Sequence, residues 1–479
     1  MGIRIFNTLT GKKEIFRPIN KGKVRIYVCG PTVYDEPHIG HLRSAYIFEV
    51  IRRYLIFRGY KVKFVKNITD VDDKIIEKAK EEIKSLSTNP QPPVDLKSKV
   101  REVAERYLKK YHEAMEVFGI TPPDVEPKVT EHIPEILKII EGLIKKGFAY
   151  EKEGDVYFRV KRFSRYGKLS NQSTEELITG ARVEPDDKKE DPLDFALWKK
   201  AKEDEPSWQT PWGEGRPGWH IECSAMSMRY LGKNFDVHGG GKDLIFPHHE
   251  NEIAQAEVYT RKRFANYWIH NGLLTINGEK MAKSLGNFIS ADEIFKRYHP
   301  EVLKLFFLSA HYSHPIDFSD KKMDEAKRAR ERFYILLRKI DESIPFNAHQ
   351  SPVKKKKSAT AVDRFRKEFV SAMDDDFNTC RALAVLFEMV NFANKSLDKK
   401  SILIEVKRLL LDLGKIFGLF ERQEREEVLE SLMKLIIYIR QALRERKDYT
   451  LADKIRKDLK EIGIILEDDA KNTSWRFEA

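Results

Sequence analysis

Val24-Arg25-Ile26-Tyr27-Val28-Cys29-Gly30-Pro31 is an apolar run closed by a glycine and a proline, the pattern of a buried strand feeding a turn. After a loop over 30–39, Gly40 to Arg58 carries Leu42, Ala45, Tyr46, Ile47, Val50, Ile51, Tyr54 and Leu55 at helical spacing. Gly59 stops the helix, and Lys61-Val62-Lys63-Phe64-Val65 resumes as a strand. Strand, helix and strand in that order make a βαβ unit, so the expected fold class is α/β with a Rossmann-like parallel sheet. The glycine fingerprint GxGxxG is missing from its first turn. Open sheets of this kind bind ligands at the carboxyl ends of their strands, where Cys29 and the following loop stand.

That loop ends in Pro37-His38-Ile39-Gly40-His41. A helix N-terminus with free N–H groups seats phosphate, Gly40 lets a ligand come close to the backbone, and His38 and His41 can donate hydrogen bonds to phosphate oxygens as charge develops. The plain alternative is two histidines that cap a helix. Further on, the strand-like Tyr267-Trp268-Ile269-His270 precedes Lys280-Met281-Ala282-Lys283-Ser284-Leu285-Gly286-Asn287. Lys280 and Lys283, three apart on a Gly- and Asn-closed loop, can clamp a triphosphate and offset the charge of departing pyrophosphate. Here the plain alternative is a solvated lysine pair.

Cys29 has three distant companions. Cys223 lies in Gly218-Trp219-His220-Ile221-Glu222-Cys223-Ser224-Ala225-Met226, and Phe246-Pro247-His248-His249-Glu250-Asn251-Glu252 places His248 and Glu252 four apart. Pro247 suits the first turn of a helix, on which that spacing puts both side chains on one face. Two thiolates, an imidazole and a carboxylate are acceptable zinc ligands, although the short CxxC spacing is absent. Two buried free cysteines and a surface His-Glu pair remain the competing reading.

The chain has 479 residues, 41% hydrophobic, enough for about two to four domains with cores of their own. Only three cysteines, and a start that leads directly into strand-like sequence, point to a reducing, cytoplasmic setting. No stretch approaches a transmembrane helix in length. Lys plus Arg number 87 against 75 Asp plus Glu, a net +12, which favours a polyanionic partner such as nucleic acid. The 34% charged fraction equally suits the ion-pair surface of a thermophile.

An insertion between the halves of the sheet is expected over about 76–200, with helical patterns at 98–118 and 131–147 and a strand at 154–160. Ser85 to Pro93 reads as a loop. From about 300 onward the chain reads as mostly helical, with amphipathic patterns at 360–395, 402–418 and 425–446 and a solvated linker around Lys354 to Lys357. No long apolar heptad run appears, which favours a monomer.

His38-Ile39-Gly40-His41 after the first strand, joined with Lys280 to Ser284 downstream, resembles the signature pair of class I aminoacyl-tRNA synthetases. Within that class the chain resembles the cysteinyl-tRNA synthetase family. The similar stretches are Tyr27 to Asp35, Asn67 to Lys74, Gly218 to Met226, Phe235-Asp236-Val237-His238-Gly239-Gly240-Gly241, Asp243 to Gln255, the lysine loop, Asp374-Asp375-Asp376-Phe377-Asn378-Thr379 and Tyr449 to Arg456, nearly the whole length. Two departures stand out: Ala282 replaces the middle serine of the usual KMSKS loop while both lysines are kept, and Glu36-Pro37 precedes the HIGH motif.

The resemblance implies zinc on Cys29, Cys223, His248 and Glu252, and magnesium accompanying ATP. It implies activation of cysteine to cysteinyl adenylate and transfer to tRNA(Cys). A thiophilic ion separates thiol from hydroxyl, so serine is rejected without an editing domain. His38, Gly40, His41, Gly239, Gly240, Lys280 and Lys283 are then expected at ATP, and Thr32, Trp219, His238 and Asp243 around cysteine or its adenylate. The implied domains are a split catalytic domain (1–75 and 201–295), a connective insertion (76–200), a helical stem-contact region (296–345) and a helical anticodon-binding region (346–479). In its tail Arg444, Arg446, Arg456, Trp475 and Arg476 are candidates to meet unpaired bases. Two rivals are a ligase joining activated cysteine to a small amine and a noncatalytic tRNA-binding paralogue.

Overall fold

The structure is a computed structural model that describes residues 2–86, 95–173, 188–281, 285–343, 361–468 and 473–477. β1 (Arg4–Asn7) and β2 (Lys12–Ile15) form a hairpin, followed by β3 (Lys23–Val28), α1 (Ile39–Phe57) and β4 (Lys61–Lys66), the expected βαβ unit within a residue or two. α1 buries residues around most of its circumference, Arg43, Glu49 and Arg52 among them, because it is covered on the side facing away from the sheet as well. Gly59, at φ 87, makes the left-handed turn that ends it.

The insertion then begins with α2 (Asp73–Leu86), α3 (Leu96–Val117) and α4 (Ile133–Lys145). It closes with β5 (Ala149–Lys152), β6 (Asp155–Phe158), β7 (Phe195–Lys200) and β8 (Gly215–Pro217), an antiparallel sheet in chain order. Of that sheet only the region of β6 was expected. Most of the Ser85–Pro93 loop lies outside the described residues.

The chain returns through α5 (Trp219–Leu231), β9 (Phe235–Gly241), α6 (Glu250–Thr260) and β10 (Ala265–Asn271). The central sheet has the order β10-β9-β3-β4 and is parallel throughout, with Ile26 opposite Phe64 on one side and Val237 on the other. Nearly every residue of β9 and β10 is buried, Asp236, His238 and His270 included, as strands of a sheet covered on both faces must be. A small sheet follows, of β11 (Leu274–Ile276), β12 (Glu279–Lys280) and β13 (Ile316–Phe318), with α7 (Ala291–Arg297) and α8 (Pro300–Leu308) inserted before its last strand.

The remainder is helical: α9 (Asp320–Ser343), α10 (Ala361–Asp374), α11 (Thr379–Asn394), α12 (Lys400–Gly414), α13 (Glu421–Glu445) and α14 (Tyr449–Glu461), ending in the hairpin β14 (Ile464–Asp468) and β15 (Thr473–Phe477). The amphipathic run over 360–395 is two helices rather than one. Asp376 and Phe377 take φ values of 63 and 50, breaking it where the backbone N–H of Asp376 reaches the Arg4 carbonyl. Lys354 to Lys357 lie outside the described residues.

The chain forms two compact units, Met1–Phe417 and Gly418–Ala479. Residues 361–417 are fastened to α1, whose Tyr46 hydroxyl donates to the Phe417 carbonyl (2.7 Å) and Tyr54 hydroxyl to Asp374 (2.6 Å). In the second unit Met433, Leu459, Ile464 and Leu466 form a small core against which Trp475 packs. Arg440, Arg444 and Arg456 converge on Asp468. Of the residues expected to face bases, Trp475, Arg444 and Arg456 thus have partners within their own unit, Arg446 is exposed at the end of α13, and the side chain of Arg476 is not described.

Candidate active site and metal centre

Cys29 follows the last residue of β3, where its amide donates to the Gly239 carbonyl (3.2 Å). Gly30 can only be glycine, since a Cβ there would fall 1.5 Å from the Asn67 carbonyl oxygen. Cys223 sits in the second turn of α5 and Glu252 in the first turn of α6. His248 lies in a widened helical turn, Ile245–His249, that runs into α6, so the four-residue spacing still brings it to Glu252.

The four ligand candidates meet. Cys29 Sγ lies 3.6 Å from Cys223 Sγ, 3.6 Å from His248 Nε2 and 3.4 Å from Glu252 Oε1, and His248 Nε2 lies 3.1 Å from Glu252 Oε1. A tetrahedral zinc with bonds of about 2.0 to 2.3 Å has ligand-to-ligand edges of about 3.3 to 3.8 Å, so the donor set and its spacing fit that ion. Cys29, His238, His249 and Glu252 also converge within 4.8 Å. In that second set, however, His238 is engaged with Glu252 (Nε2 to Oε2, 2.8 Å) and His249 with His270 (Nδ1 to Nε2, 2.8 Å).

The electrostatics favour a cation. Burial pushes the Cys29 thiol up, with Cys223 adding to it. Burial also raises Cys223, but the hydrogen bond from Cys29 and the His248 ring outweigh it and leave a pKa of about 6. Burial raises Glu252 as well, and His238 with His248 bring it down to about 2. The Glu252 carboxyl and one thiol are thus biased toward their charged forms beside His248, whose pKa is raised to about 10 because Glu252 and Cys223 outweigh burial.

The surrounding shell is largely imidazole. His220 Nδ1 lies 3.1 Å from His248 Nδ1, which turns the other ring nitrogen of His248 toward the thiols. His249 stands 3.3 Å from Cys29 through Nε2, and His270 continues from it to the Thr8 hydroxyl (2.8 Å). Burial holds His220, His249 and His270 below their ordinary range, His270 at about 3. Sequence reasoning missed these three; the doublet His248-His249 beside a strand ending in His270 was the available signal. It also missed Asn67, whose Oδ1 accepts from Tyr27 (3.1 Å) and the Gly30 amide (2.9 Å).

The expected substrate residues are placed unequally. Trp219, 40% exposed, stacks on His248 with centroids 4.3 Å apart, beside the four ligand candidates. Thr32 is half-buried beside Thr69, to which it is bridged. Asp243 is exposed in the short turn Lys242–Leu244 that follows β9. His238 is fully buried behind Glu252. A side chain at Gly239 would meet Phe48 of α1, and one at Gly240 would meet His249, so these glycines make room for the chain's own packing.

His38 is the N-cap of α1: its Nδ1 accepts from the Gly40 amide (3.1 Å), and His41 Nδ1 accepts from the His38 amide (3.3 Å), the rings stacking at 3.7 Å. Capping and phosphate contact are thereby compatible. Acceptance at Nδ1 fixes each neutral ring with its proton on Nε2, a donor. Burial, then His38 and Lys66, hold the His41 pKa well below the usual histidine range. At Gly40 a Cβ would press on the His38 ring at 3.0 Å. Lys280 ends β12, its side chain not described, and Lys283 lies outside the described residues. The far end of that loop is pinned to the histidine turn, for Ile39 donates to the Ile289 carbonyl (3.2 Å) and Ala291 to the Pro37 carbonyl (2.7 Å).

Residues 15–328 match the family model described as the tRNA synthetases class I (C) catalytic domain, and residues 368–421 match the DALR domain. The chain is 48% identical over 489 residues to the cysteine–tRNA ligase of Thermococcus gammatolerans, covering 99% of each, and 47% identical over 508 residues to that of Aquifex aeolicus, again 99% of each. The fold resembles that of Mycobacterium tuberculosis methionyl-tRNA synthetase in complex with methionyl-adenylate, with a TM-score of 0.61 at 14% identity over 87% of this chain and 94% of that one. With likeness of that extent over its whole length, the chain belongs to the cysteine–tRNA ligase family of class I tRNA synthetases.

Proposed function

We propose that this chain activates cysteine with ATP and transfers it to tRNA(Cys). The observation that carries the reading is the convergence of Cys29, Cys223, His248 and Glu252 at the carboxyl end of the central sheet, in a chain alike over its whole length to cysteine–tRNA ligases.

In the first step the cysteine carboxylate attacks the α-phosphorus of ATP and pyrophosphate leaves, taking the electron pair of the broken P–O bond. His38 and His41 donate through Nε2 to the triphosphate, and Lys280 and Lys283 offset the charge of the leaving pyrophosphate, with magnesium on the nucleotide. In the second step the terminal ribose hydroxyl of the tRNA attacks the acyl carbon, and AMP leaves. Zinc, when bound, supplies a preference for deprotonated sulfur over a hydroxyl, the basis for excluding serine. Trp219 walls the thiol pocket, Thr32 and Asp243 meet the amino group, and His238 holds Glu252 in place.

The insertion is the acceptor-end platform, residues 296–345 contact the stem and residues 346–479 serve the anticodon arm, in keeping with the excess of basic residues. The chain acts as a cytoplasmic monomer; no helix among the described residues is long and apolar enough to cross a membrane. Nothing favours a small-amine acceptor or a noncatalytic role.

The test is cysteine-dependent ATP–pyrophosphate exchange with serine as competitor, followed by charging of tRNA(Cys). Exchange with cysteine alone, lost in Cys223→Ala, and charging of the tRNA are expected. No exchange from folded, zinc-loaded protein overturns the reading, and exchange without charging moves the acceptor to a small amine.

A further inference from the structure

Arg43 lies two residues past the histidine motif on α1 and is 1% exposed. Its guanidinium meets three backbone carbonyls: Nη1 donates to Gly272 (2.6 Å) and Leu273 (2.6 Å), and Nη2 to His314 (2.5 Å). Among the described residues no carboxylate pairs with it, and burial lowers its pKa to about 10. A buried cation balanced only by carbonyl dipoles is costly, and an apolar side chain of that volume would pack α1 at less cost. The charge is explained by what it holds.

The three carbonyls flank one joint. Gly272 and Leu273 lead into β11, which pairs with β12 so that Thr275 faces Lys280, and His314 leads into β13, which pairs with β11. The joint is tight: a Cβ on Gly272 would fall 2.1 Å from the His314 carbonyl oxygen. Ser44, next to Arg43, adds a bond to Asn271 (3.1 Å). The other end of the lysine loop is tied to the start of α1 through Ile39 and Ala291. One helix thus clasps both ends of the lysine loop, by backbone on the far side and by Arg43 on the near side. A planar fork spans two chain segments at once, which a single ammonium on a shorter reach does not.

We propose that Arg43 is a positioning residue for adenylation: it fixes β11, the strand that leads to Lys280 and Lys283, against the turn of α1 that carries His38 and His41, so that both pairs engage one triphosphate. The inference rests on the reading above, in which those four residues contact ATP.

The test compares Arg43→Lys and Arg43→Met with the unaltered full-length enzyme in ATP–pyrophosphate exchange, varying ATP and cysteine separately, with melting temperature and zinc content as controls. Both variants are expected to lose about 10- to 100-fold in kcat/KM for ATP, with KM for cysteine and zinc content unchanged. In a Lys280→Ala, Lys283→Ala background the same substitution is expected to cost little further, because the groups it positions are gone. If Arg43→Met does not fold, Arg43→Lys decides. Wild-type dependence on ATP in a folded variant, a KM for cysteine that rises as much as that for ATP, or full additivity with the lysine substitutions overturns the proposal. Absence of exchange in the unaltered enzyme would instead overturn the underlying reading, and the proposal with it.

Discussion

His238 Nε2 stands 2.8 Å from Oε2 of Glu252, both side chains fully buried, while Oε1 of the same carboxylate faces Cys29 and His248. One oxygen is thus held from behind and the other presented to the cluster of candidate ligands. Removing such a supporting partner costs about 10- to 100-fold in metal affinity. His238→Ala is expected to lose zinc to a chromophoric chelator at that much lower chelator strength while staying folded. Affinity within twofold of the unaltered protein would show that Glu252 keeps its orientation unaided.

Cys223→Ser tests the ligand itself. A serine hydroxyl at that position does not ionise at neutral pH, so the set loses its second thiolate. The expected fall in zinc affinity exceeds the about 10- to 100-fold assigned to a supporting group. Cysteine-dependent exchange should fall with it, and chelator treatment of the unaltered enzyme should reproduce the loss reversibly on zinc addition.

The contrast between those two residues bears on what the sequence reveals. The strand, turn and helix over 24–58 were legible because apolar spacing and punctuation by Gly30, Pro31 and Gly59 are local signals, and Cys223, His248 and Glu252 stood out by residue type. His238 was noticed through its glycines, yet its place behind Glu252 depends on β9 lying beside β3, a pairing between residues about two hundred apart. The same holds for His220 and Asn67, whose roles come from which atoms they face. Arg43 carries no local signal of its role, because nothing in the sequence around it announces that α1 is covered on both sides. Asp374-Asp375-Asp376 read as a motif without a mechanism, and α10 and α11 as one helix, because the break is stabilised by partners in β1 and α1.

His41 sets a pH dependence. Burial, then His38 and Lys66, depress its pKa, so the folded protein binds fewer protons there than the unfolded chain, whose histidines titrate near about 6.5. Stability contributed at this site is therefore present above about pH 6.5 and falls as pH drops, by at most about 1.4 kcal/mol per pH unit until the folded pKa is reached. His41→Asn should flatten the acid limb of a denaturation series between about pH 6.5 and 5, relative to the unaltered protein. Parallel curves would show that other groups dominate that limb.

Asp376 joins three separate pieces of chain. Its Oδ1 accepts from the Phe6 amide (2.8 Å) and the Tyr312 hydroxyl (2.8 Å), and Oδ2 lies 3.7 Å from His311. The residue is 4% exposed and sits at φ 63, a conformation that Asp and Asn tolerate better than Ala. Asp376→Ala strands two donors in the interior and strains the backbone, and together these predict a loss of about 2 to 4 kcal/mol in chemical denaturation. Asp376→Asn keeps an acceptor and the backbone preference, so its loss should be about half as large or less. If both variants cost the same, the charge rather than the hydrogen bonds is what matters, and His311 becomes its operative partner. Because Phe6 belongs to β1 and Tyr312 lies between α8 and β13, the damage should be cooperative across the first unit. A single unfolding transition shifted as a whole is expected, rather than early release of the N-terminal hairpin.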